Sequence, residues 1–463
     1  MNIQFLGASN LVTGSMFLLS IGDKKILIDS GMFQGLNEEK YNYLPLQFDP
    51  KEIYCVILTH SHLDHCGLIP LLVKRGFNGP IYSTIQTKLI TEVILLDSAR
   101  LQEIRKKELR SDDILYDMND AYKSVSQFVE IKFFDEIEIN KDIKFKFIPA
   151  GHILGASSVV INNNGVITVF SGDIGRTDQS IIKSFKEYDF KQINPTNIVM
   201  ESLYGGIEHT DREAEKIQMY RIIKETFAKN GTVYIPVFSL HRAQEMLAIL
   251  RLGIVKDYLP KDINIYLDSP MANSITKIYL DNSSEFSEEF ITTNMLNPNS
   301  DNSLKINPFF YDQVELVKKS KKSQRITSTK KSIILAGSGM ADGGRIVGHI
   351  YKNIEDKRNS FIFVGFQAEG TLGRKLTDGA SEILVEDKDL VVRSSVFNLR
   401  GFSAHADNED LLSWVNSFNL NNLNKVILIH AEKNRISAFG KELEKNGIKN
   451  WVAPNMYDKI DLP

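Results

Sequence analysis

The stretch Tyr54-Cys55-Val56-Ile57-Leu58-Thr59-His60-Ser61-His62-Leu63-Asp64-His65 decides how this chain is read. Its first half is an apolar run closed by Thr59, the pattern of a short buried strand. Its second half sets four metal-binding side chains, His60, His62, Asp64 and His65, in one loop. His60 and His62 are two positions apart, so in extended backbone both imidazoles leave on the same side. Asp64 and His65 then turn away from that pair. One loop can thus serve two adjacent metals, with two imidazoles for one and a carboxylate plus an imidazole for the other. The nitrogen-rich mixture suits zinc, whereas magnesium or calcium would call for oxygen. The chain has 9 histidines and three of them fall here, which favours a metal site over a polar loop that happens to be histidine-rich.

Working outward, the first ~200 residues repeat one pattern, an apolar strand ending in a chemically capable residue. Lys25 to Ile28 ends in Asp29, and Ile143 to Phe147 leads through Pro149-Ala150-Gly151 to His152. Val166 to Phe170 leads to Asp173, Ile198 to Met200 leads to Glu201, and near the other end Val426 to Ile429 leads to His430. This implies a layered sheet architecture with one functional edge. Between ~210 and ~390 the texture changes to strands alternating with helical patterns, such as Thr232 to Pro236 followed by Arg242 to Leu247. That is the alternation of a parallel-sheet domain, and with few candidate ligands it reads as a second domain inserted into the first. Residues 297–307, rich in Asn, Ser and Pro, read as a surface loop.

At 463 residues the chain exceeds what one hydrophobic core usually serves. With 43% hydrophobic and 24% charged residues and a net charge of -3, it has the composition of a soluble globular protein, and any cationic track must be local. The basic run Lys318, Lys319, Lys321, Lys322, Arg325, Lys330 and Lys331 has no interleaved aromatics and reads as a solvated helix face. The two cysteines, Cys55 and Cys66, flank the metal loop in a poor layout for a disulfide. Cys66 is read as a small buried apolar residue rather than a further ligand. The N-terminus has neither a basic region nor an apolar run long enough for export or spanning, so a cytoplasmic location without membrane partners is expected.

Together, Asp29, His60-x-His62-x-Asp64-His65, His152, Asp173 and His430 resemble the ordered motifs of the metallo-β-lactamase fold. The segments 201–205, 334–340 and 365–374, Phe402-Ser403-Ala404-His405-Ala406-Asp407 and His430-Ala431-Glu432 are similar to those of its β-CASP subgroup, whose members include the endonuclease subunit of the pre-mRNA 3′-end cleavage factor. The resemblance covers essentially the whole chain. It implies an α/β fold, an αββα sandwich over 1–208 and 394–463 interrupted by a β-CASP insert over 209–393, with substrate entering between the two domains. It also implies two zinc ions. His60, His62 and His152 would hold one, Asp64, His65 and His430 the other, and Asp173 would bridge them. Asp29 would accept from a ligand imidazole, which fixes that ring's tautomer.

The implied activity is that of an endoribonuclease, hydrolysing RNA phosphodiesters by in-line attack at phosphorus with a two-metal mechanism and leaving 3′-hydroxyl and 5′-phosphate ends. Asp64 would orient the attacking water. His405, paired with Glu201, would protonate the leaving sugar oxygen; the residue-level alternative is a histidine at a helix start, with Asp407 as N-cap of a helix from Asn408. The glycine-rich stretch from Gly337 to Arg345 fits neither a nucleotide-triphosphate loop nor the dinucleotide spacing, but its amides can hold a phosphate, which makes Ser338 and Gly339 substrate-binding candidates; Arg374, through its own motif, is a second phosphate candidate.

Leu203, His241 and Ala431 depart from the residues the subgroup often has there, Thr, Gly and Gly. A DNA-processing nuclease is the alternative, and His430 argues against it because that branch typically lacks the histidine. A small-molecule thioester or lactam hydrolase would need neither the insert nor the Glu201/His405 pair. The end at Pro463 leads us to expect no appended RNA-binding domain.

Overall fold

The computed structural model describes residues 1–35, 39–109, 114–296 and 306–463. The chain divides into two compact units, Met1–Glu208 with Ala404–Pro463, and His209–Ser403. Most of the expected loop at 297–307 lies outside the described residues.

In the first unit two seven-stranded sheets are formed among the described residues. One runs Lys459–Asp461, Asn2–Phe5, Phe17–Ile21, Lys24–Ile28, Ile53–Ile57, Ile81–Ser83 and Phe128–Glu130, so a strand near the end of the chain pairs with the first. The other runs Trp451–Val452, Lys425–Ile429, Asn197–Glu201, Val166–Phe170, Ser157–Asn163, Ile143–Pro149 and Ile137–Glu138.

Period-two alternation builds the layers. Ile427, Ile429, Val199 and Phe170 turn toward Phe17, Leu19, Ile28 and Ile57 of the facing sheet and form the core between them. Their neighbours Val426, Leu428, Ile198 and Met200 point the other way, onto Leu411 and Trp414 of the helix Asn408–Asn416 and Phe439 and Leu443 of the helix Lys433–Lys445. Two sheets back to back, with helices on the outside, make the expected αββα sandwich.

The second unit is built on an all-parallel sheet in the order Val314–Leu316, Asn264–Asp268, Ser332–Ala336, Val233–Pro236, Ser360–Phe363, Ser395–Asn398. Its central strands are buried throughout, as a sheet covered on both faces requires. The unit continues to Ser403, past the expected limit at 393. The physical reason is the edge strand Ser395–Asn398, which pairs in parallel with Ser360–Phe363.

Candidate metal centre and its acid

The histidine loop leaves its strand at Ile57 and enters a single helical turn, Leu63–Cys66. His62 is the N-cap, with extended backbone, and Asp64 and His65 belong to the turn itself, so the change from strand to helix separates the two pairs of side chains. His152, Asp173 and His430 arrive from the ends of three strands of the facing sheet. The Asp173 loop comes close enough to the His152 loop that a side chain on Gly175 would overlap the Gly151 carbonyl at 1.7 Å. His430 itself has a positive φ of 55°, a conformation rare for histidine, and its N–H donates to the Ala8 carbonyl at 2.6 Å.

Three imidazole nitrogens converge first. His62 Nδ1 lies 3.1 Å from His60 Nε2 and 3.2 Å from His152 Nε2, with Asp173 Oδ2 at 3.3 Å from His60 Nε2 and 3.6 Å from His152 Nε2. A second set lies alongside: His65 Nε2 and His430 Nε2 are 3.4 Å apart, and Asp173 Oδ1 is 3.3 and 3.7 Å from them. Asp64 Oδ2 completes this set at 3.6 Å from His430 Nε2. Asp173 thus turns one oxygen toward each group.

The hydrogen-bond partners decide which nitrogens are free to ligate. Thr59 Oγ1 donates to Asp29 Oδ2 at 2.9 Å, so at 3.0 Å from His60 Nδ1 it is the acceptor, and His60 keeps a lone pair on Nε2. The same logic applies to His65, whose Nδ1–H donates to Asp29 at 2.7 Å, and to His152, whose Nδ1–H donates to the Ala404 carbonyl at 3.3 Å. His60 Nε2, His65 Nε2 and His152 Nε2 thus turn lone pairs toward neighbouring imidazole nitrogens at 3.1–3.4 Å. A tetrahedral zinc site with bonds of about 2.0–2.1 Å has edges of about 3.3 Å, which is the spacing present here. Asp173 Oδ1 is buried with no hydrogen-bond donor among the described residues. The donor chemistry therefore fits bound metal.

Electrostatics agree with this division. Burial lowers the basicity of His60 and His152, and it takes His62 down to about 3, so the first trio is neutral. For His65, burial is outweighed by Asp173 and Asp29, which hold it well above its ordinary value. His430 is likewise raised against burial by Asp173 and by its bond to Asp64. Asp64 and Asp173 are held low by these imidazoles despite their own burial.

Beside the first trio, His405 Nδ1 lies 3.3 Å from Glu201 Oε2 and 3.9 Å from Asp173 Oδ2. Burial alone would lower His405, but Glu201, then Asp173, push it up to about 9. Glu201 is fully buried, while the His405 side chain is 20% exposed. The Ile174 N–H donates to Glu201 Oε1 and fixes the carboxylate, while Ser171 Oγ accepts from the Glu201 backbone N–H at 3.0 Å. Asp407 also caps the helix Asn408–Asn416, so the helix-start histidine and the paired histidine are one and the same residue.

The structure thus brings together His60, His62, Asp64, His65, His152, Asp173, Glu201, His405 and His430, with Asp29 behind them. Two contributors were missed from sequence. Thr59 was read only as the end of a strand, although its place before His60 was the available signal. The Ala404 carbonyl carries no sequence signal. Cys66 is buried with its thiol toward the Ser61 carbonyl, outside the ligand groups. Ser338, Gly339 and Arg374 belong to the second unit. There Ser338 donates to Asp342 at 3.1 Å, and Arg374 is exposed and paired with Asp378 at 2.7 Å. His241, where the subgroup often has glycine, takes a positive φ of 63°, which accounts for the usual glycine.

Comparison with known proteins gives three successive family matches: the metallo-beta-lactamase superfamily over residues 10–215, the Beta-Casp domain over 243–376, and the Zn-dependent metallo-hydrolase RNA specificity domain over 389–454. Ribonuclease TTHA0252 of Thermus thermophilus is 32% identical over 448 residues, 96% of this chain and 97% of that protein. The chain belongs to the β-CASP branch of the metallo-β-lactamase superfamily. Other β-CASP relatives are the transcription termination factors FttA of Methanocaldococcus jannaschii, 28% identical over 99% of this chain and 71% of the relative, and of Pyrococcus abyssi, 30% identical with the same coverage. A crystal structure of a protein of unknown function from Enterococcus faecalis superposes with a TM-score of 0.55 at 15% identity, covering 100% of this chain and 99% of that one, which speaks to the fold alone. As in other members of this superfamily, the donor groups are those of a divalent-metal site. Among the described residues no helix is long and apolar enough to cross a membrane.

Proposed function

We propose that this protein is a zinc-dependent endoribonuclease that hydrolyses RNA phosphodiesters and leaves 3′-hydroxyl and 5′-phosphate ends. The observation that carries the reading is the placement of a charged His405/Glu201 pair beside two converging donor sets that share Asp173. The match to an RNA specificity domain and the 32% identity to a protein named a ribonuclease support RNA as the substrate.

His60, His62 and His152 would hold one zinc ion, and Asp64, His65 and His430 the other, with Asp173 common to both. Such an ion pair supplies an activated water and neutralises charge on the phosphate's non-bridging oxygens. Asp29 and Thr59 hold the ligand rings in the tautomers that face inward. Asp64 accepts a hydrogen bond from the attacking water and aims it at phosphorus. As the new oxygen–phosphorus bond forms and the bond to O3′ breaks, O3′ needs a proton. His405 supplies it from Nε2, because Nδ1–H is engaged by Glu201. A carboxylate beside the ring keeps it protonated at neutrality. In the second unit, Ser338, the Gly339 amide and Arg374 would contact substrate phosphates.

The test is incubation with end-labelled single-stranded RNA and matched DNA, with and without chelator, followed by mapping of the product ends. RNA cut far faster than DNA, with chelator-sensitive 5′-phosphate products, is expected. Equal rates on both polymers, or cleavage of DNA hairpins alone, would move the protein to a DNA-processing role.

A further inference from the structure

Beside the phosphate candidates of the second unit lies an aromatic surface with no role so far. Its strands Ser332–Ala336, Val233–Pro236 and Ser360–Phe363 are neighbours and all run the same way, so the residues that follow them emerge at one edge. In open α/β sheets this C-terminal edge is where ligands sit. Phe238 follows the middle strand and Phe366 the next one. They are 38% and 40% exposed, whereas Tyr234, Phe361 and Phe363, just inside the sheet, are fully buried.

Phe238 is held in place by what flanks it. A side chain on Gly339 would strike its ring at 2.7 Å, and one on Gly365 would touch it at 3.7 Å, so glycine at both positions lets the ring lie directly against two backbones. Gln367 ties these backbones together: its Nε2 donates to the Gly339 carbonyl at 3.1 Å and to the Gly365 carbonyl at 3.2 Å. The same loop is joined to the helix Leu372–Thr377, because the Gly373 N–H donates to the Met340 carbonyl at 2.9 Å. That helix brings in the exposed guanidinium of Arg374.

The arrangement places exposed aromatic rings, a hydroxyl at Ser338 and a cation on one rigid edge. A peptide docking on apolar area alone would have no use for the cation and the hydroxyl. A nucleotide uses all three, through base stacking and phosphate contact. Accordingly we infer that Phe238 and Phe366 form a stacking platform for bases of single-stranded RNA, so that substrate is held by its bases as well as by its phosphates. This rests on the ribonuclease reading proposed above.

The experiment uses the zinc-loaded full chain, with Phe238→Ala, Phe366→Ala, the double variant and Phe238→Trp. Binding is read by fluorescence anisotropy with two probes of equal length, a phosphorothioate single-stranded RNA that resists cleavage and a phosphorothioate abasic oligomer. Steady-state cleavage of ordinary RNA is measured alongside. Wild type should prefer the base-bearing probe. Each alanine variant should lose about 5- to 100-fold in affinity for it, the usual worth of one stacked base, with abasic binding unchanged.

The loss in cleavage should appear in KM and leave kcat near wild type, and Phe238→Trp should retain affinity. Because both rings are exposed, wild-type zinc content and thermal midpoint are expected in the variants. If Phe238→Ala proves unstable, Phe366→Ala and Phe238→Trp carry the same comparison. Alanine variants that bind the RNA probe as wild type does, or a wild type that does not tell the probes apart, would overturn the platform while RNA cleavage still upholds the ribonuclease reading. A wild type that neither binds nor cuts RNA removes both, and the cleavage assay shows which failure has occurred.

Discussion

The two units bury charge in opposite ways. In the second, Asp268 is fully buried and its partners all come from the protein: Arg345 at 2.5 Å, Ser323 at 2.6 Å and His349 at 2.8 Å. Glu245 is buried between Arg212 and Arg242 in the same manner. Each carboxylate meets groups of opposite charge or hydrogen-bond donors, and nothing further is required. The first unit instead brings imidazole nitrogens to 3.1–3.4 Å of one another, with the Nε2 lone pairs of His60, His65 and His152 turned inward and Asp173 offering one oxygen to each set. Burial of polar groups does not by itself mark a site. Convergence of several ligand atoms on one another does.

Several measurements can break or sharpen that contrast. Replacing Asp173 by Ala, or stripping metal with a chelator, should abolish RNA cleavage, and metal analysis of the purified wild type should return about two zinc ions per chain. A stable value of one, unchanged in His430→Ala, would mean that the second donor set is not a metal site. His405→Ala should slow cleavage by about 10²–10⁴-fold with zinc retained. Because Glu201 raises His405, wild-type activity should fall only as pH rises through the raised value and the imidazolium loses its proton, and this basic limb should vanish in the variant. A substrate with a sulfur leaving group, which departs without protonation, should restore much of the lost rate; no restoration would reassign His405 to phosphate binding.

On the other side of the contrast, Asp268→Ala should destabilise the second unit by about 3–5 kcal/mol, the cost of leaving a buried charge uncompensated, with no change in bound zinc. Calorimetry beside metal analysis separates these effects, and a loss of zinc would show that the two kinds of cluster are not independent. Thr59→Val should weaken zinc affinity by about 10–100-fold by releasing the His60 ring, measured by competition with a chromophoric chelator. The smallest effect expected is that of His241→Gly. Relief of the positive φ is worth about 1 kcal/mol, and it is partly offset by loss of the bond from the ring to Tyr279, 3.1 Å long. Thermal midpoints should therefore differ little.

Much of this was legible in the chain because each candidate ligand follows an apolar strand, and strand ends at one edge of a layered sheet are where such residues can meet. Asp29, His152, Asp173 and His430 could be found for that reason before any contact was known. Three things were not legible. The carbonyl of Ala404 orients His152 through backbone, which every residue possesses. Ser395–Asn398 is a half-buried edge strand, without the continuous apolar run that marks its neighbours, so the limit of the second unit fell short. Phe238 and Phe366 are isolated phenylalanines in sequence, and only parallel pairing of their strands makes them neighbours.

The order in which the chain is made has a consequence of its own. His405 and His430 both follow the second unit in sequence, and the strand Lys459–Asp461 closes against Asn2–Phe5. On the proposed roles, a nascent chain that has emerged only as far as residue 403 lacks both its proton donor and one of its zinc ligands. On those roles, the capacity to cut RNA is acquired only after the whole second unit has been synthesised.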